Sequence, residues 1–342
     1  MTAPRPRTIN AIAPIRICDV GGWTDTWFAR HGAVFNIAVY PFVEVQLGVL
    51  DHAEGDARVT IDVENFGHTY AVNPGKIVYD KHPLIEAAID VMKLPSDAAL
   101  RINIFSDAPP GASTGTSAAV SVALIGALDR LVGSALPPHE VAGLAHSIET
   151  VNLGLQCGVQ DQLASAYGGI NYIAMHEFPS ATVTPVVIPN NVWWELEHRL
   201  AVIYIGRPHS SSAIHTRVIE GLGPNAHDDP RLVRLRALAA DARDAVSAAD
   251  FPALGAAMND NTEVQRALHP DLVCGAMEEI IAVAREFGAL GVKVNGAGGD
   301  GGSLTLLTDG DMARKRRLLR ALDERGFHSL PIYLSRQGLR VW

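Results

Sequence analysis

The chain has few cysteines, and the three that it has lie far apart, at positions 18, 157 and 274. Because no two of them form a CxxC pair, the pattern indicates reduced thiols in a cytoplasmic protein and no disulfide framework. No run of about 18 uninterrupted apolar residues occurs, so we expect no membrane-spanning segment. The first residues, MTAPRPRTINAIAP, lack the apolar core of a signal peptide, so we expect no secretory targeting.

An excess of basic charge is also missing. The formal net charge of −9 argues against nucleic acid as a partner, although a local basic site stays open. Internal repeats and low-complexity tracts are absent as well. What remains is a composition of 48% hydrophobic and 19% charged residues, which is typical of a compact globular protein. At about 150 residues per domain, 342 residues predict two domains.

Strands and helices are mixed along the chain without strict alternation, which predicts the α+β class. We place a domain boundary near residue 190, giving domains 1–190 and 191–342. For the first half the pattern predicts strands, hairpins and three or more helices, including two strands within 33–50 that are separated by a turn at Pro41. The second half predicts a strand, long Ala-rich helices at 231–250 and 251–268, a helix at 274–291, two strands around a glycine loop, and a last helix at 311–326.

A loop rich in Gly, Ser and Thr lies between a predicted strand and a predicted helix in SDAPPGASTGTSAAVSVALIGALDRL, residues 106–131. The start of a helix has N–H groups without a partner in the helix and a partial positive charge. Glycines there let the backbone approach a ligand closely. The arrangement is typical of a phosphate site, and the alternative is ordinary capping by a hydroxyl. It is not a Walker A loop, because it contains no GK[ST].

A second glycine-rich loop, GAGGDGG, spans residues 296–302. It contains G-x-G-x-x-G, but a dinucleotide site would need a helix next, and the following SLTLLTD alternates like a strand. The same argument excludes a ribokinase-type loop. The loop is either a tight hairpin turn or, given its five glycines, a place where the backbone approaches a ligand or another loop closely.

Three segments, in order, resemble the motifs of the GHMP kinase superfamily: APIRICDVGGWTD (13–25), PPGASTGTSAA (109–119) and KVNGAGGDGGSL (293–304). Segments 154–171 and 203–215 are similar to the sugar kinases of that superfamily, namely heptose 7-phosphate kinases and L-fucokinases. The resemblance implies a ribosomal-protein-S5-like N-terminal domain, a ferredoxin-like C-terminal domain and a site between them. There are departures: Ser113, Thr114 and Thr116 replace common family residues, and Asp300 interrupts the usual glycine run, where we expect it to point away from the phosphates.

The resemblance implies transfer of the ATP γ-phosphoryl group to a sugar hydroxyl, such as the anomeric C1 hydroxyl of heptose 7-phosphate or of a hexose, with ATP and Mg²⁺ as cofactors. Asp161 would act as the base or orient the hydroxyl, with Arg16 as its partner. Ser117 and Glu149 would hold the metal. The residues expected to bind ATP are Pro110, Gly111, Ser113, Thr114, Gly115, Thr116, Ser117 and Ala118. Those expected to bind the sugar are Asp25, Gly22, Trp23, Gly158, Gly298 and Gly299.

Structural interpretations compete with each of these roles. Glu149 alone is more typical of a solvated helix residue, Asp161 of a helix cap and Arg16 of an edge-strand charge. Side chains at His209 and Ser210 to Ser212 are further candidates for the acceptor site, and Arg207 and Lys81 for a sugar phosphate. Three alternative functions stay open: a catalytically inactive sugar and ATP sensor, a decarboxylase of the mevalonate diphosphate type, and a plain α+β scaffold. A homodimer is also compatible with the sequence.

Overall fold

The computed structural model describes residues 8–50, 57–207, 211–223 and 225–342, and for residues 211–215 it describes the backbone alone. Strands and helices are mixed along the chain, and the strands form two sheets, which confirms the α+β prediction. The elements up to residue 185 are β1 (Thr8–Val20), β2 (Gly32–Leu50), β3 (Val59–Val63), β4 (His68–Val72), α1 (Pro83–Val91), β5 (Ala99–Ser106), α2 (Thr116–Val132), α3 (Pro138–Ser147), α4 (Gln160–Tyr167), β6 (Ile170–Glu177) and β7 (Ser180–Pro185).

The remaining elements begin with a helix that the sequence analysis did not identify. They are α5 (Asn190–Arg199), β8 (Leu200–Tyr204), α6 (Ser211–Leu222), α7 (Pro230–Ser247), α8 (Phe251–Leu268), α9 (Gly275–Glu286), β9 (Gly291–Val294), β10 (Ser303–Leu307), α10 (Met312–Asp323), β11 (His328–Leu330), β12 (Tyr333–Leu334) and β13 (Arg340–Val341). The long helices α7 and α8 start where predicted, because Asp229 and Asp250 each accept a backbone hydrogen bond at the helix start.

The larger sheet has the strand order β13–β1–β2–β5–β3–β4, and β6, β7 and β12 extend it beside β2. Its described pairs are antiparallel except β3 with β5. The inward residues of β1 are apolar and buried, among them Ile9, Ile15 and Ile17, and they meet the almost wholly buried helix α2. The central loop between β5 and α2 therefore lies at one end of a well-packed layer of helix on sheet.

β2 is one continuous strand, so the predicted strand–turn–strand was wrong. The β1–β2 ladder shifts register between Pro14 and Ile15, and Tyr40 and Pro41 lie opposite that irregularity. Because these two residues have no partner in β1, the missing N–H of the proline removes no hydrogen bond from this ladder. Proline therefore interrupts the pairing locally without ending the strand.

The smaller sheet has the strand order β11–β8–β10–β9, and its described pairs are antiparallel. One face is covered by α9 and α10, whose apolar side chains join a separate core. The hairpin of β9 and β10 surrounds the second glycine loop, and a strand follows that loop, as the sequence analysis predicted. No helix in the described part of the chain is long and apolar enough to cross a membrane.

The last residues of the chain return to the larger sheet. β12 pairs with β2 and β13 pairs with β1, and the N–H of Leu339 donates to the carbonyl of Ala166 in α4 (3.2 Å). This return could not be predicted from the sequence, because strands of two residues carry no usable periodicity. The boundary near residue 190 stays a prediction, and the tail connects the second half of the chain to the first sheet.

The tail also gives a stability prediction at Gly338. A Cβ there would overlap the backbone carbonyl of Ala166, which cannot rotate away. We expect Gly338→Ala to lower the free energy of unfolding by about 2 kcal/mol, as overpacking does. Gly143→Ala on α3 is the matched control, because nothing lies within 4 Å of its Cβ and alanine favours a helix. Thermal unfolding checks both, and equal melting temperatures for the two variants would contradict the close packing.

Candidate active site

The central loop ends in a helix start that is open to a ligand. Gly115 lies at φ 71°, in the left-handed region, and serves as the N-cap of α2. The hydroxyls of Thr114 and Thr116 lie 3.2 Å apart, and Ser117 is exposed in the first helical turn. Because the first turn contains no acidic residue, its N–H groups and partial positive charge favour an anion.

Arg16 of β1 connects this loop to α4. Its Nε and one terminal nitrogen donate to the two carboxylate oxygens of Asp161, at 2.8 and 3.2 Å, and its guanidinium also donates to the carbonyl of Ser113. Burial would lower the pKa of Arg16, but Asp161 and Asp19 outweigh it and raise that pKa above its ordinary value. Arg16 and Asp161, here named the Arg–Asp pair, were predicted as partners from the sequence.

Asp25 is a second carboxylate in the same region. It is 3% exposed and accepts a hydrogen bond from the backbone N–H of Gln160 at 3.0 Å. Burial raises the pKa of Asp25 to about 6. A Cβ at residue 158 would overlap this carboxylate, so only glycine lets the chain before α4 pass so close to Asp25.

Glu149 lies on a short π-helix, Ile148–Asn152, directly after α3. Its carboxylate accepts a hydrogen bond from the Gln162 side chain at 2.9 Å and another from the Cys157 thiol, whose pKa is raised by burial and by Glu149. Burial raises the pKa of Glu149 to about 7. It is therefore not the solvated helix residue of the alternative interpretation, and it shares a cavity with Ser117.

A polar cavity of about 280 Å³ brings these groups together. Four carboxylates and one guanidinium line it, together with Trp23, Ser117 and several amides: Arg16, Asp19, Asp25, Glu149, Asp161, Gln156, Gln160 and Gln162. The buried side-chain carbonyl oxygens of Gln160 and Gln162 accept no hydrogen bond from the described part of the chain. The cavity is thus rich in acceptors that suit a ligand with several hydroxyl groups. The two glutamines carried no signal by themselves in the sequence.

A second cavity, of about 400 Å³, adjoins the first and shares Leu84, Ser117 and Leu155 with it. Its lining is mostly apolar, and it includes Phe66 and His82 as well as the loop residues Pro110, Gly111 and Thr116. Phe66 is half exposed at the end of the β3–β4 hairpin. This cavity could not be predicted from the sequence, because most of its walls come from segments that are distant from the central loop and carry no motif.

The second glycine loop contributes to the polar cavity through its first residues. Gly296 and Ala297 line it, and the N–H of Gly296 donates to the carboxylate of Asp19 at 3.1 Å. Gly298 and Gly299 do not line it and instead pack against Leu272. Their sugar-binding role stays a prediction.

The other predicted residues differ in where they lie. Gly22 is buried and does not line the polar cavity, and its N–H donates to the carbonyl of Asp19 at 3.2 Å. Asp300 is exposed. Lys81 lies over the ring of Tyr70 and lines the second cavity, and Arg207 is exposed. Residues His209 and Ser210, and the side chains of Ser211 and Ser212, lie outside the described residues.

The chain matches two family profiles in order: "GHMP kinases N terminal domain" over residues 83–169 and "GHMP kinases C terminal" over residues 242–326. A D-glycero-alpha-D-manno-heptose 7-phosphate kinase of Campylobacter jejuni is 25% identical over 98% of this chain and 99% of that protein. A mevalonate kinase of Thermococcus sibiricus is 32% identical over 92% of this chain and 95% of that protein.

The same fold occurs in a crystal structure of a D-glycero-D-manno-heptose 1-phosphate kinase from Bacteriodes thetaiotaomicron. The two superpose with a TM-score of 0.77, at 21% identity, over 98% of each chain. This superposition confirms the two-domain fold, and the two family profiles and the heptose 7-phosphate kinase confirm the resemblance found in the three sequence motifs and the enzyme class. With both profiles in order and a relative that is 32% identical over almost its whole length, the chain belongs to the GHMP kinases.

Proposed function

We propose that the chain transfers the γ-phosphoryl group of ATP to a hydroxyl of a sugar or sugar phosphate. One observation carries this proposal: an apolar and a polar cavity meet at Ser117, beside the start of α2, and the Arg–Asp pair stands on the polar side. A nucleotide whose phosphates lie at that junction would point its γ-phosphate towards Asp161. A cytoplasmic location and a homodimer stay predictions.

The apolar cavity suits the base of ATP. Phe66 and His82 offer aromatic faces, on which a purine can stack. The triphosphate would follow the loop from Pro110 to Ser117, where backbone N–H groups at the helix start favour negative charge. This placement agrees with the predicted ATP-binding residues of the central loop and adds the hairpin residue Phe66 to them.

Magnesium fits the residues present. Mg²⁺ prefers hard oxygen ligands and commonly takes one or two carboxylates beside phosphates and water, and the Glu149 carboxylate and the Ser117 hydroxyl offer that kind of donor in one cavity. The described residues hold no cluster of three or more His, Cys, Asp or Glu side chains that would bind a metal alone, so the site would depend on the nucleotide. When bound, the ion would neutralise phosphate charge.

The acceptor would lie between Asp25 and Asp161. The Asp25 carboxylate and the buried oxygens of Gln160 and Gln162 would accept hydrogen bonds from its hydroxyl groups. Asp161 would accept the hydrogen of the reacting hydroxyl while that oxygen forms a bond to the γ-phosphorus and the bond to the bridging oxygen of ADP breaks. Arg16 orients Asp161 and offers positive charge to the transferring group.

Mevalonate phosphorylation is the second candidate function, favoured by the 32% identity to a mevalonate kinase. Mevalonate is a carboxylate, and the described lining of the polar cavity carries four carboxylates against one guanidinium. Repulsion would therefore oppose an anionic group close to Asp25, so the carboxylate of mevalonate, like the phosphate of a sugar phosphate, would have to lie away from it. The side-chain oxygens of Gln160 and Gln162, which accept no hydrogen bond from the described residues, favour the acceptor with more hydroxyl groups.

The first prediction about the reaction is turnover on one member of an acceptor panel, with ADP release as the readout. The panel contains heptose 7-phosphate, L-fucose, D-galactose, D-mannose, L-arabinose, D-glucuronate, mevalonate and mevalonate diphosphate, each with Mg-ATP. We expect Asp161→Ala to lower turnover at least about 100-fold, because a positioned acid–base group contributes that much. Asp244→Ala, an exposed change on α7, should leave turnover unchanged. Turnover on mevalonate alone would establish the second candidate, and ATP binding without any turnover would favour a sensor.

The second prediction concerns pH. Because burial raises the pKa of Asp25 to about 6, its ionised form accepts hydroxyl hydrogens above that pH and is lost below it. We expect KM for the acceptor to rise about tenfold between about pH 7.5 and about pH 5, as the ionised fraction falls. Asp25→Asn should have a higher KM without this rise below pH 6. A KM of the wild-type enzyme that is constant across this range would remove Asp25 from acceptor binding.

The third prediction concerns Glu149. Glu149→Gln keeps an acceptor for the Gln162 side chain but removes the charge that would face the metal. We expect the Mg²⁺ concentration for half-maximal rate to rise by about tenfold or more, because a neutral amide is a weaker ligand. Glu140→Gln, at an exposed position of α3, is the matched control. An unchanged Mg²⁺ dependence in Glu149→Gln would exclude Glu149 as a metal ligand.

A further inference from the structure

Lys293 is a fully buried cation for which the proposed mechanism has no role. It lies in β9, where β1 and α8 pack against the strand, and its side chain is 0% exposed. Its ammonium lies 3.4 Å from a carboxylate oxygen of Asp19 and donates to the side chain of Gln265 at 3.0 Å and to the carbonyl of Val294. A buried charge of this kind persists only when it is well paired.

Asp19 stands between two cations. One oxygen faces Lys293 at 3.4 Å, and the same oxygen lies 3.9 Å from a terminal nitrogen of Arg16. The backbone N–H of Gly296 donates to both oxygens of this carboxylate at 3.1 Å. Asp19 is 0% exposed, so solvent contributes little to stabilising its charge.

We infer that Lys293 is a positioning residue, which neutralises Asp19 and so keeps Arg16 for the Arg–Asp pair. Without the ammonium, the nearest cation to Asp19 among the described residues is Arg16. The guanidinium would then divide its charge and its donors between two carboxylates. Attraction between buried charges is strong, so Asp161 would lose the partner that orients it.

The neighbouring groups support this role. Gln265 holds the ammonium from α8, and its amide also donates to the carbonyl of Gly296 at 3.1 Å. Asn261, which is fully buried, donates to Gln265 at 3.0 Å and accepts from the N–H of Gly21 at 2.7 Å. This network fixes the Lys293 ammonium beside Asp19. Lys293 does not line the polar cavity, so it would act on the ligands only through Asp19 and Arg16.

The test is a double-mutant cycle of Asp19→Asn and Lys293→Met, with kcat, KM for ATP and a crystal structure of each variant. It rests on the proposed function for its kinetic part, whereas the structures report the Arg16 position even if no acceptor is turned over. In Lys293→Met we expect Arg16 to move from Asp161 towards Asp19, and kcat to fall at least about tenfold while KM for ATP changes less than about twofold. Adding Asp19→Asn should restore the Arg–Asp pair and raise kcat at least about fivefold above that of Lys293→Met.

The double variant also tests the inference if Lys293→Met alone does not fold, because it contains no uncompensated buried charge. Its kcat should lie within about threefold of that of Asp19→Asn. Lys315→Met is the matched control: this half-buried lysine of α10 donates to two backbone carbonyls outside the cavity and should not alter Arg16. An Arg–Asp pair that is unchanged in Lys293→Met, or a double variant more than about tenfold slower than Asp19→Asn, would overturn the inference.

Discussion

The hydrogen-bonded pair of buried Arg16 and partly buried Asp161 is the interaction on which the site depends. Arg16 belongs to β1, Asp161 to the first turn of α4, and the Arg16 guanidinium also holds the carbonyl of Ser113 in the central loop. One planar cation therefore sets the distance between three elements that are far apart in sequence. Because arginine presents its donors in a rigid fork, a lysine at this position could not fix both carboxylate oxygens and the loop together.

The three elements that this pair joins are also held by packing within the first sheet and by the C-terminal tail. α2 and α4 pack on β1 and β2, and the C-terminal tail adds a strand on the far side of β1 and a backbone hydrogen bond to α4. The second sheet contributes its glycine loop, whose Gly296 N–H meets Asp19 of β1. The site is thus enclosed by both halves of the chain, although most of its charged groups come from the first.

The local structure at the two glycine-rich loops could be predicted from the sequence because it has a local physical cause. Gly115 and the hydroxyls of residues 114, 116 and 117 indicate a helix start that is open to phosphate. The strand predicted after residue 302 excludes a dinucleotide site at the second loop. The family resemblance then supplied Glu149 and Asp161, which local pattern alone would have assigned to a solvated helix position and to a helix cap. What could not be predicted depends on long-range contacts: the continuity of β2 through Pro41, the returning tail, the cavity beside Phe66, and the meeting of Lys293 with Asp19 across 274 residues.

The charges of the polar cavity explain why the site is suited to its ligands. Burial raises the pKa values of Asp25 and Glu149 to about 6 and about 7, which means that keeping both carboxylates ionised opposes folding of this region. A cation beside Glu149 and hydroxyl donors beside Asp25 would each stabilise the ionised form. Asp19 and Asp161 need no such ligand, since Lys293 and Arg16 already pair with them. The protein thus neutralises the carboxylates that hold the site together and leaves the other two to be satisfied by what binds there.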